Sequence, residues 1–365
     1  MGMTLSAAPG RTAVDTLRGA NVEPRITTRL GDGSAVELTS SEIRTEIEDG
    51  TQAAAARGKM PPLAADELEH LHDIFSSRAR FSAVDIGDEV VLSFDGSGSP
   101  QQGSRVDALL QYEQCFAADT CELYHIDYSY KAVKTVVGGE QQAMKEARER
   151  ITIPVHYGAQ PDLGRYSAPD GPCGNWSELL PQMKIAEARA AQEEAAEMAV
   201  EDMVYVAEEM WAAGADGINF DTAGAGGDAD FLATLLAVER LRARHPDMGM
   251  MVGMSAEIVL GTHGQLEYQG VRLAGLKPAG QCEVVQRAGA TVFGPAVNVN
   301  TSHTVAWNIA RALTFMKPCM AVAGIPVHAN VGMGVGGVPM NAFAPIDAIS
   351  RCSRACVDVL RLDGL

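Results

Sequence analysis

Short apolar runs and helix-period stripes alternate along most of this chain. Residues 121–126, 151–155, 218–220, 250–254, 291–297 and 321–327 are β-favouring, bounded by Gly, Asn, Asp or Pro, and each predicts a buried strand. Between them apolar residues return every three or four positions. Phe231, Leu235, Val238 and Leu241 make one stripe, which Asp228 can cap and His245-Pro246 ends. Val305, Ile309 and Met316 make another behind Ser302, and Pro345 suits the first turn of a third, which leads into residues 357–362. Strand alternating with helix predicts a parallel sheet, and this many units predict an α/β fold of (β/α)8 TIM-barrel type. Residues 265–273 (QLEYQGVRL) alternate with period two and predict a hairpin inserted in a barrel loop.

The ends of the chain follow the same logic. Residues 27–50 predict a hairpin around Gly31-Asp32-Gly33 and then a helix capped by Ser40 or Ser41. Residues 61–80 predict a helix with Leu63, Leu68, Leu71 and Ile74 on one side, and 90–94 a short strand. We therefore expect an N-terminal cover over 1–85 and the barrel over 86–365. The long helix expected over 182–213, acidic on one side and carrying Met203, Met210 and Trp211, is expected to face either the barrel, the preferred reading, or a second subunit. Residues 357–365 (VDVLRLDGL) predict a strand that runs into an Asp-Gly, repeating the lettering of 214–222 (GADGINFDT), where an apolar run also delivers an acid into a glycine-rich loop. The barrel is accordingly expected to be incomplete at its C-terminal end.

Composition narrows the function. The 365 residues are 46% hydrophobic, enough for a large core, and 29 Lys and Arg against 47 Asp and Glu leave a formal charge of −18. Such a surface repels nucleic acid and anionic membranes, so neither is expected as a partner. Seven Cys without CxxC spacing form neither a disulfide framework nor a zinc motif, which points to a reducing cytoplasm. No run has the character of a signal peptide or a membrane span.

In a barrel the chemistry sits where strands end. The predicted ends supply His125, Asp127, His156, Tyr157, Asp221, Thr222, Ser255, Glu257, Asn298, Asn300, His328, Asn330 and Asp363. Any one of these serves equally well as a helix cap or loop tie; their convergence is the signal. The glycine run 331–340 (VGMGVGGVPM) contains G-x-G-x-x-G, yet a Pro follows and no helix opens, so it does not predict a phosphate loop. Gly332, Gly334, Gly336 and Gly337 either admit a bulky ligand or partner to the backbone or provide positive φ. The scattered His residues make a metal-dependent barrel hydrolase the weaker alternative. No Lys stands at a strand end to form a Schiff base, since Lys131 and Lys134 lie beyond theirs.

The runs ELYHIDYSYKAVKTVV, GADGINFDTAGAGGDADF, MVGMSAEIVLGTHGQLEYQGVRLAGL, TVFGPAVNVNTS and VHANVGMGVGGVPM resemble the dimethylamine methyltransferases, from about Leu30 onward. That resemblance implies methyl transfer from a methylated amine to the Co(I) corrinoid of a cognate corrinoid protein, with the corrinoid carried by the partner and no metal bound directly. It also implies a pyrrolysine just after Leu365, whose electrophilic imine carbon would hold the amine, and a longer C-terminal segment. If the 365-residue form is what accumulates, an inactive fragment that aggregates is the alternative. By position, Glu257 is the expected proton-transfer group and Asp221 its support. Asn298, Asn300, His328 and Asn330 are expected to orient the adduct, with Asp127 and His125 as second choices and Asp363 orienting the pyrrolysine. Gly332 to Gly337 would offer a low surface to the cobalamin. Association with a second copy of the chain stays open.

Overall fold

The computed structural model describes residues 23–82, 121–122, 163–213, 217–341 and 344–365. The chain enters through an antiparallel hairpin, β1 (Ile26–Arg29) and β2 (Ala35–Leu38), whose turn includes Gly33 at φ +90°. Helix α1 (Ser40–Gly58) follows, and its cap is Thr39 rather than Ser40 or Ser41. The hairpin register ends at Leu38, so Thr39 is the extended residue that meets the helix. Its hydroxyl accepts from the Glu42 amide at 3.2 Å, while the Glu42 carboxylate accepts from the Thr39 amide at 2.7 Å. Helix α2 (Ala65–Ser76) turns Leu71, Ile74 and Phe75 inward.

These N-terminal helices form an outer layer on the rest of the fold. Gly50 lets α1 approach closely, because a side chain there would collide with the Trp307 carbonyl. Beside it, the buried Thr51 and Thr314 hydroxyls share a 2.8 Å hydrogen bond.

The main sheet is parallel, in the order β3 (Cys121–Glu122), β4 (Gly217–Ala223), β5 (Gly249–Met254) and β8 (Val292–Gly294). Parallel bridges carry it on from Phe293 to Val327 and from His328 to Gly364. Between the strands run α5 (Asp228–Arg244), α6 (Pro278–Ala288), α7 (Val305–Val322) and α8 (Ile346–Leu360). The short α3 (Trp176–Leu179) and the long α4 (Ile185–Ala212) precede β4. This is an α/β fold with the predicted alternation, and among the described residues its sheet is an arc from β3 to Gly364. The predicted strands at 90–94 and 151–155, and residues 123–126, lie outside the described residues.

Along β4 and β5 the side chains alternate. Ile218, Phe220, Met250 and Val252 are buried under the helices, whereas Asn219, Asp221 and Met251 are only partly covered. Phe220, Phe231, Phe293 and Phe315 are fully buried, each contributing roughly 1.5–3 kcal/mol by leaving water. Helix α4 lies along α5 and buries a run of alanines and Met203, with Met210 and Trp211 packed on the same core. The predicted hairpin is β6 (Glu267–Tyr268) and β7 (Val271–Arg272), joined by Gln269 at φ 47° and Gly270 at φ 78°. Two positive φ values in a two-residue loop match the right-handed twist of the strands.

Five expectations are corrected. Residues 357–360 are the last turn of α8 rather than a strand, and of that segment only Gly364 pairs, with His328. Residues 321–327 do not form a strand: α7 continues through Pro318 to Val322, carried by buried Leu313, Phe315, Met316 and Cys319, and the pairing is reduced to Val327. β8 stops at Gly294 because Pro295 has no amide hydrogen to continue the ladder. Two caps also differ. Thr304 caps α7, accepting from the Trp307 amide at 3.1 Å, while the Ser302 hydroxyl donates to Asn300. Gly227, at φ 93°, precedes α5, and Asp228 is buried in its first turn, where burial pushes its carboxyl up in pKa and His263 pulls it back. No helix among the described residues is long and apolar enough to cross a membrane.

Candidate active site

Register assembles the site. In the parallel ladder Asp221 pairs with Gly253 and Gly253 with Gly294. Phe293 donates to the Pro326 carbonyl at 3.0 Å and accepts from the His328 amide at 2.9 Å, which sets it opposite Val327 and sets Gly294 beside His328. His328 in turn bridges Gly364. Asp221, Gly253, Gly294, His328 and Gly364 therefore form one rank across five neighbouring chain segments, all on the same face.

The centre of that rank has no side chains. A Cβ on Gly253 would lie 2.7 Å from Asp221 Oδ1, so the carboxylate reaches over β5. A Cβ on Gly294 would meet Gly253 Cα and Met251 Cε at 3.1 Å. At the far side His328 is buried, and burial pushes its imidazole down to about pKa 4, against a smaller opposing contribution from the Leu365 backbone. It is a neutral ring at neutral pH. Asp363 clamps the last segment: its Oδ2 accepts from the Val327 amide at 2.8 Å, and the Gly364 amide donates to the Val327 carbonyl at 3.2 Å.

Above the rank lies an ionic knot. Glu257, on the loop after β5, is buried and ion-paired with Arg311 of α7. Arg311 also donates to the Asn298 carbonyl at 2.7 Å and stands over the Phe315 ring at 5.2 Å. Asn298 closes the knot, with its amide 3.3 Å from Glu257 Oε2 and its Nδ2 donating to the Ser255 carbonyl at 3.1 Å. One buried pair thus ties the loops after β5 and β8 to α7.

The remaining expected residues are placed differently. Asn300 is occupied by a turn: its Oδ1 accepts from Ser302 and its amide donates to Asn308 at 2.7 Å. Asn330 is exposed beyond His328. Gly334, Gly336 and Gly337 have φ of 84°, 64° and 86°, the positive values expected as one reading of that run. With Gly332 they are buried, and a Cβ on Gly337 would lie 2.9 Å from Ile309 Cβ, so the loop is pressed onto α7. His125, Asp127, His156 and Tyr157 lie outside the described residues, as do Lys131 and Lys134. The one group of described residues spaced to hold a metal ion is Glu69, His72 and Asp73, on α2 and away from the strand ends.

The sequence reading missed Gly253, Gly294 and Arg311. Their signals were present. A glycine inside a strand marks close approach of another group, and a single Arg in the apolar run IARAL must find a buried partner. A family model described as dimethylamine methyltransferase matches residues 25–365 of the chain. No solved structure matches it.

Proposed function

The chain belongs to the dimethylamine methyltransferase family, and from that premise we propose that it moves a methyl group from dimethylamine to the Co(I) corrinoid of a partner protein docked over the strand ends. The observation that carries this reading is the acid-edged cradle of Asp221, Gly253, Gly294, His328 and Gly364. A small methylated ammonium needs negative charge and space for its methyl groups, and the cradle offers both. We read the arc of strands as part of a closed (β/α)8 barrel, with this cradle at its C-terminal mouth, and place the protein in the cytoplasm.

The corrinoid, as the methyl acceptor, supplies the electron pair that forms the new bond to carbon, while the pair of the broken C–N bond stays on nitrogen. The chain's own groups hold the amine and manage its proton. Asp221 supplies charge beside the nitrogen. Glu257, held by Arg311, is the proposed proton-transfer group, and Asn298 and His328 orient the bound amine, whereas Asn300 is spent on its turn and Asn330 stands exposed beyond His328. Asp127 and His125 are second choices. The pyrrolysine that the resemblance implies would supply the electrophilic carbon that holds the amine. Its approach would be set by the Asp363 clamp on Val327.

The test is methyl transfer by the full-length protein, made in a host that inserts pyrrolysine and mixed with its reduced corrinoid partner. Dimethylamine should drive formation of methyl-cobalt, read by its absorbance, and Glu257→Gln should slow it about 100-fold. No transfer from any methylated amine would refute the reading.

A further inference from the structure

Gly253 sits inside a strand, where a side chain would normally add packing and β-propensity, so its presence calls for a reason. The reason is steric. A Cβ there would stand 2.7 Å from Asp221 Oδ1, well inside contact distance, and the atom it would meet is the mobile end of a side chain rather than backbone. The arrangement of Asp221 is therefore available only while residue 253 is glycine. Gly294, the next member of the rank, is different: its Cβ would touch no carboxylate but would meet Gly253 Cα and Met251 Cε at 3.1 Å and the His328 carbonyl at 3.3 Å, each of which must give by a few tenths of an ångström.

From this we infer that Gly253 is a positioning residue that lays the Asp221 carboxylate across β5 toward His328, and that Gly294 is the bare floor that sets how large an alkylammonium the cradle accepts. The inference rests on the proposed amine chemistry and adds the division of labour within the site. An alanine at 253 pushes the acid off its position without obstructing the floor. An alanine at 294 leaves the acid in place and fills about one methyl group of space.

The experiment measures two things on the full-length protein and its Gly253→Ala, Gly294→Ala, Asp221→Asn and Gly253→Ala/Asp221→Asn forms. The first is binding of dimethylammonium and methylammonium chlorides by calorimetry, and the second is kcat and KM for methyl transfer from dimethylamine and monomethylamine. Gly253→Ala and Asp221→Asn should each weaken binding about tenfold to a hundredfold, and the double variant should be no weaker than Asp221→Asn alone. Gly294→Ala should weaken calorimetric binding of dimethylammonium several-fold more than that of methylammonium, and raise the KM values for the two amines in the same ratio. Multiplying effects in the double variant, native binding by Gly253→Ala, or equal losses for both amines in Gly294→Ala would overturn the inference. So would a wild-type protein that binds no alkylammonium. A wild type that binds it with the expected pattern yet transfers no methyl group would refute the proposed function and leave this inference standing.

Discussion

His328 shows how one side chain couples the site to stability. Burial lowers its pKa from 6.5 to about 4. As pH falls through 6.5 the unfolded chain takes up a proton there, while the native chain stays neutral until about 4. The stabilising contribution of the neutral ring is thus complete above pH 6.5 and is lost across that window, on the order of 3 kcal/mol in all. Denaturant titrations at several pH values should show this slope in the native protein and a flatter one in His328→Gln; equal slopes would refute the assignment. Arg311 offers a second test at this scale. Arg311→Met leaves the Glu257 charge buried without its partner, and we expect a loss of about 3–5 kcal/mol in chemical denaturation. Adding Glu257→Gln removes the orphaned charge and should recover part of that loss, which an effect of lost Arg packing alone would not do.

At the scale of elements, the reading by period succeeded wherever one face was buried. The stripe Phe231, Leu235, Val238 and Leu241 became α5, and QLEYQGVRL became β6 and β7. Helix caps were legible to within two residues, because caps depend on where the preceding element releases the chain, whereas α2 begins and ends four residues inside the expected 61–80 and β8 stops three residues short of 297. Ser40, Ser41 and Ser302 look as competent as Thr39 and Thr304 until the hairpin register and the Asn300 turn are known. The strand expected at 321–327 was lost to α7, whose buried side chains outweigh the β preference of its last turn. In the candidate site, the location of Asp221, Glu257, Asn298 and His328 at or just past strand ends was readable from the strand pattern. The rank was not, since it depends on register between strands far apart in sequence, and an absent side chain leaves no residue to nominate. The Thr39 cap gives a direct check: Thr39→Ala should cost about 1 kcal/mol of stability, and Ser41→Ala should cost less than half as much. Comparable losses would place the cap where the sequence suggested.

Across the whole molecule, the N-terminal layer is part of the core rather than a removable cover. Ile43, Ile47, Ala54, Leu71, Ile74 and Phe75 are buried. α1 lies along α7 over Gly50, α2 meets α8, and Trp307 Nε1 donates to Asp49 at 2.8 Å. Lys317 pairs with Glu67, and Arg29 grips Asp347 through two 3.0 Å hydrogen bonds, so polar ties reinforce the apolar seam. The hairpin reaches the active face as well: Gly31 donates to the His303 carbonyl at 2.8 Å and accepts from the Met340 amide at 2.9 Å. It thereby braces the loops after β8 and Val327, which flank His328. Deleting residues 1–82 strips apolar cover from α7 and α8 and frees those two loops together. The shortened protein should aggregate, or bind a hydrophobic dye strongly without a cooperative thermal transition. A monodisperse truncated form that melts cooperatively and still binds dimethylammonium would show instead that the sheet and its own helices hold the site without the N-terminal layer.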